Sequence, residues 1–132
     1  MLVLPPDAGR ALAEAVEKIL GAAERMLGMV SQLQSPGASS TAIQYCHELF
    51  EVARGLMGAL QNDPRELAAG FRRVLEITDA LARLAEAEPS PDLRSAFLDQ
   101  VRVLIEASRA YAPAIRTAAE REKAPWVRLL PQ

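Results

Sequence analysis

Apolar residues recur at alternating steps of four and three along four separate stretches of the chain, and this spacing constrains the fold more than any single residue does. On an α-helix it gathers side chains into one stripe that must find a partner. The first row is Leu12, Val16, Ile19, Ala23, Met26, Val30 and Leu33. Leu20 and Leu27 widen it on one side, and Ala15, Ala22 and Met29 on the other, so this helix needs neighbours on both flanks. Ala42, Cys46, Leu49, Ala53, Leu56 and Leu60 form the second row, flanked by Ile43, Phe50 and Met57. The third is Leu67, Phe71, Val74, Thr78, Leu81 and Ala85, and the fourth is Phe97, Val101, Leu104, Ser108, Tyr111, Ile115 and Ala118, interrupted by Pro113.

Three breaks separate the rows. In residues 35–40 a proline removes a donor, a glycine permits a left-handed turn, and Ser40 or Thr41 is placed to cap the next helix. Asp63 before Pro64, and Ser90 before Pro91, each read as a helix cap followed by proline at the first helical position. The spacing therefore predicts an all-α chain with helices near 7–34, 40–61, 64–87 and 91–122, the fourth kinked or broken at Pro113. Short links favour antiparallel neighbours, which makes an up-down-up-down four-helix bundle the economical arrangement. One domain, residues 1–132, accounts for the chain, with short apolar tails at 1–6 and 124–132.

Counted from the connecting turns, the outer helices approach about 28 to 30 residues and the inner pair about 22 to 24, a mismatch of roughly 10 Å. The excess is expected at the end that holds both termini, where Pro113 bends the fourth helix. Both apolar tails meet there. They read either as a lid over the bundle end or as a docking surface built from Leu2, Leu4, Leu12, Ile115, Trp126, Val127, Leu129 and Leu130.

Composition narrows the function classes. The net charge of −2, with both signs interspersed, offers no basic field for nucleic acid. No apolar run approaches a membrane span, the first residues lack the pattern of a signal peptide, and the single cysteine forbids an internal disulfide. A cytoplasmic location is expected. Opposite charges at helical spacing (Glu14 with Lys18, Asp79 with Arg83, Arg102 with Glu106) mark solvent faces.

Catalytic chemistry finds little to use. A carboxylate-bridged di-iron bundle needs Glu-x-x-His on two helices, and His47 is the only histidine. Cys46 and His47 diverge by about 100° on a helix, which makes a poor shared metal site and leaves Cys46 in the core row. Thr78 and Ser108 stand in inward rows, where a hydroxyl commonly bonds the carbonyl four residues back; the alternative is a small apolar ligand between helices.

His47 falls outside the inward face of the second helix, beside Glu51, Arg54 and Gly58. An exposed histidine there is similar to the acceptor of histidine phosphotransfer domains, and His47-Glu48-Leu49 resembles the opening of a sensor-kinase phosphoacceptor box. The resemblance implies a phosphorelay role with His47 as acceptor and Arg54 assisting. It covers three residues; the Lys and Gly of the phosphotransfer pattern are Phe50 and Glu51 here, and the kinase box's Thr-Pro is missing.

The residues taken together lead to a non-enzymatic interaction module, an adaptor, assembly factor, small chaperone or inhibitor. It is expected to bind a protein partner or a second copy through the end that carries both termini, with no cofactor and no metal.

Overall fold

Each apolar row forms an α-helix because one face of it can be buried only against the others. The computed structural model describes the backbone of residues 8–62 and 64–109 and the side chains of residues 12–58 and 69–109. Helix α1 spans Ala8–Leu27, α2 Ala38–Asn62, α3 Pro64–Glu86 and α4 Pro91–Ala107. A 3₁₀ turn at Val30–Gln32 lies between α1 and α2, and no strand occurs among the described residues. The helices pack as an antiparallel up-down-up-down four-helix bundle in which α1 and α3 each adjoin both α2 and α4. Leu12, Ile19 and Met26 of α1, Cys46, Leu49 and Ala53 of α2, Phe71, Val74 and Leu81 of α3, and Phe97 and Leu104 of α4 have no exposed surface. Burying each of the larger ones is worth about 1.5–3 kcal/mol. Ala23, Ala42, Ala53 and Ala85, also fully buried, keep opposing backbones close.

The first helix ends earlier than its apolar row. Gly28, costly in a helix interior, still bonds Glu24 O at 3.1 Å, but Met29 N–H turns to Met26 O, three residues back, at 2.9 Å. Gln32 and Leu33 continue that tighter ladder onto Met29 and Val30. The α-helix therefore stops at Leu27 and not near residue 34, yet Val30 and Leu33 stay buried. The row remains inward after the backbone has changed its pitch.

Helix α2 begins at Ala38, two residues before the expected start. Gly37 makes this possible with φ +75°, a conformation that costs other L-residues about 1–2 kcal/mol. Thr41, expected as a cap, instead sends its hydroxyl back to Gly37 O at 3.0 Å. Ser90 caps α4 as expected, accepting Leu93 N–H at 3.4 Å ahead of Pro91. Asp63, the other expected cap, lies outside the described residues.

Helix α4 closes at Ala107, where Ser108 N–H reaches Leu104 O and Ile105 O. Pro113 and the expected continuation to 122 lie outside the described residues. Helix α1, with 20 residues against 25 in α2 and 23 in α3, lacks the surplus length expected of it, and the stretch in which the fourth helix was expected to exceed them lies outside the described residues.

The α1–α2 and α3–α4 links meet at one end of the bundle, and a buried carboxylate fastens them. Glu88, 1 % exposed, accepts Gln34 N–H at 3.0 Å and Ser90 N–H at 3.3 Å. Its carbonyl accepts two bonds from the Arg94 guanidinium, at 3.0 and 2.9 Å, and Ser35 Oγ donates to Ala87 O at 3.2 Å. Replacing Glu88 with alanine is expected to cost about 1–3 kcal/mol of unfolding free energy, and Glu88→Gln less, because glutamine keeps an acceptor oxygen. Urea denaturation of the three proteins measures this. Gly37→Ala is expected to lower stability by about 1–2 kcal/mol in the same experiment, through backbone strain alone.

Candidate functional site

Helix α2 carries the candidate residues His47 and Arg54, and their surroundings follow from which flank meets which neighbour. Thr41 and Tyr45 line a cleft of about 340 Å³ with Asp79, Ala80, Arg83 and Leu84, and Glu48 accepts Arg73 Nε at 2.9 Å. That flank of α2 faces α3. At 100° per residue, Ile43, Phe50 and Met57 fall on the other flank, towards α1. Helix α1 divides in the same way. Lys18 shares a cleft with Arg102, Val103 and Glu106 of α4, and Arg25 Nε donates to Gln100 Oε1 at 2.7 Å, so Leu20 and Leu27, on the opposite flank, turn towards α2.

Two apolar flanks therefore converge on one face of the bundle. Ile43 is 38 % and Met57 43 % exposed, while Leu20, Leu27 and Phe50 are half-buried against the core. The Ser39 hydroxyl bonds Val30 O at 2.7 Å and sets the register of the two helices. Running antiparallel from that bond, Leu27 comes level with Ile43, Leu20 with Phe50, and Ala13 with Met57.

The rims of this strip are charged and unpaired. Glu17 and Glu24 edge it on α1, and His47 and Arg54 on α2; all four are exposed, and none makes a side-chain hydrogen bond or ion pair. The α2–α3 boundary is bridged by Arg73–Glu48 and the α1–α4 boundary by Arg25–Gln100. Between α1 and α2, no hydrogen bond or ion pair joins described side chains. Beside His47 an open depression of about 520 Å³ is lined by Ile43, Gln44, His47, Glu48 and Glu51, which makes the approach to the imidazole apolar and acidic.

Elsewhere the polar groups serve the fold. Thr78 Oγ1 donates to Val74 O at 2.6 Å and Ser108 Oγ to Leu104 O at 3.2 Å, each four residues back, so both hydroxyls are engaged within their own helices. The ion pairs differ partly from the sequence expectation. Asp79 and Arg83 pair at 3.0 Å, but Arg102 turns to Asp99 at 2.9 Å and Glu106 to Arg109 at 3.4 Å, while Glu14 and Lys18 form no pair. On an exposed helix the i,i+3 partner competes on equal terms with the i,i+4 one. Among the described residues no set of His, Cys, Asp and Glu side chains is placed to hold a metal ion, and no helix is long and apolar enough to cross a membrane.

Of the residues expected at the terminal end, only Leu12 is described, and it is fully buried in the core. Leu2, Leu4, Ile115, Trp126, Val127, Leu129 and Leu130 lie outside the described residues. The α1–α2 strip was visible in the sequence only as flanking residues of two rows. What the sequence lacked was the identity of each flank's neighbour.

No family model, curated protein or solved structure matches the chain.

Cys46 is fully buried, and burial pushes its thiol up to about 11 by penalising the thiolate. At pH 8 the native thiolate fraction is then about 100-fold below that of a free cysteine, so iodoacetamide is expected to label Cys46 slowly in the folded protein and rapidly in guanidinium. Equal labelling rates in the two states overturn this.

Proposed function

We propose that this chain is a non-enzymatic helical-bundle protein-interaction module of the adaptor, assembly-factor, small-chaperone or inhibitor kind. The observation that supports it best is the α1–α2 face, where exposed Ile43 and Met57 continue the half-buried Leu20, Leu27 and Phe50 between unpaired charged rims. Apolar side chains left in water along a groove gain free energy when a partner covers them, and the charged edges supply orientation. The terminal end, expected from the sequence as the docking surface, lies almost wholly outside the described residues, and the proposal here is placed on the α1–α2 face. A cytoplasmic setting belongs to the same reading, in keeping with one reduced, buried cysteine.

The phosphoacceptor alternative at His47 has in its favour an exposed imidazole and an unpaired Arg54. Carboxylates at Glu48 and Glu51 line the same approach and repel an incoming phosphoryl group, so the face suits a protein partner better.

Ile43→Glu/Met57→Glu tests the module reading, because both side chains reach solvent on this face. Immobilised wild-type chain is expected to retain protein, another polypeptide or further copies of itself, that the double variant loses at unchanged helicity by circular dichroism. Equal retention by the two rejects the α1–α2 face as the docking surface.

A further inference from the structure

Whatever covers the α1–α2 strip must also answer its rims, and these differ in sign. Helix α1 offers Glu17 and Glu24, whereas α2 offers the Arg54 cation, with the His47 imidazole and the Glu51 carboxylate on the turns before it. The register set by the Ser39–Val30 bond brings Glu17 level with the turn that carries Arg54, and Glu24 level with His47. The Arg54 guanidinium thus stands beside an acidic edge at a matching height. Such a face is complementary to itself.

Resting on the interaction-module reading, we infer that the partner of this face is a second copy of the chain, docked about a two-fold axis parallel to the helices. That operation lays α1 of each copy on α2 of the other. Arg54 then opposes Glu17 of the other copy, twice over, with Leu20, Leu27, Ile43, Phe50 and Met57 enclosed between them. The other face-to-face two-fold, perpendicular to the helices, sets α1 on α1 and α2 on α2. Glu17 would then meet the second Glu24, and Arg54 the second His47, so carboxylate faces carboxylate. The charge pattern excludes that arrangement and retains the first.

The area available sets the strength. From the level of Leu27 and Ile43 to that of Met57 the face runs about 20 Å, and two adjacent helices present a width of about 20 Å, so on the order of 1,000 Å² is buried in total, the lower bound for a specific interface. A dimer of this size is expected to dissociate with a Kd of about 10–100 μM, within reach of a concentration change rather than permanent.

Sedimentation equilibrium of the full chain between about 5 and 300 μM spans that range on either side. Wild type is expected to shift from monomer to dimer; Arg54→Glu is expected to weaken dimerisation at least about tenfold, and Glu17→Arg/Arg54→Glu to restore it to within about threefold of wild type. All these positions are exposed, and circular dichroism checks the fold of each variant. A wild-type chain that stays monomeric throughout, or a dimer indifferent to Arg54→Glu, or one that the charge exchange fails to restore, overturns the self-pairing. A monomeric chain that still loses a captured foreign protein in the Ile43→Glu/Met57→Glu variant overturns self-pairing and leaves the module reading standing. Failure of both experiments removes both.

Discussion

Mutual burial of four apolar helix faces is the constraint on which everything else in this protein depends. Helices of 17 to 25 residues are marginal alone in water, because nucleation is costly and each added hydrogen bond gains little. Here each becomes stable by covering its neighbours, with Leu12, Ile19 and Met26 set against the faces of Leu49, Phe71, Leu81, Phe97 and Leu104. The small residues in the rows belong to the same economy. Buried alanines let the backbones close in, and Gly70 does so more sharply, since a Cβ there would stand 2.5 Å from Leu56 Cδ2. The lone cysteine is one more small apolar filler, held neutral by the burial that makes it useful.

Polar groups fall into two populations. One is spent on the fold: Glu88 ties two links together, Thr78 and Ser108 return to their own helices, and Arg73 and Arg25 bridge neighbouring helices. The other is exposed and makes no bond among the described residues; it includes Glu14 and Lys18 as well as Glu17, Glu24, His47 and Arg54, and the last four lie around the α1–α2 boundary. A bundle needs its core and its links, and it does not need that rim. The proposed self-pairing rests on these charges, held at defined heights beside uncovered Ile43 and Met57.

Much of this architecture was legible before any coordinates. The inward rows identified the buried residues, Ser90 was recognisable as a cap, and the i−4 hydroxyl bonds of Thr78 and Ser108 followed from inward polar residues on helices. Helix ends were less legible. Gly28 sits among apolar spacing that continues through it, and spacing reports which way a side chain points, not whether the backbone closes four or three residues back. That is why α1 stops at Leu27 while Val30 and Leu33 remain buried. Glu88 gave no sequence signal, since a glutamate beside proline in a link looks like solvent-facing polar residue until a second link lies over it.

The apolar spacing by itself determined that there would be four helices, that they would be antiparallel, and which face of each would be buried, because these follow from local periodicity and short connections. Only the tertiary structure decided which flank of each helix met which neighbour. Angles around a single helix axis carry no information about the helix placed beside it. Once α3 took the Tyr45 and Glu48 flank of α2, and α4 took the Lys18 and Arg25 flank of α1, the remaining flanks were left to face each other. The strip between them, and the charges at its edges, exist through that packing and through nothing in either helix alone.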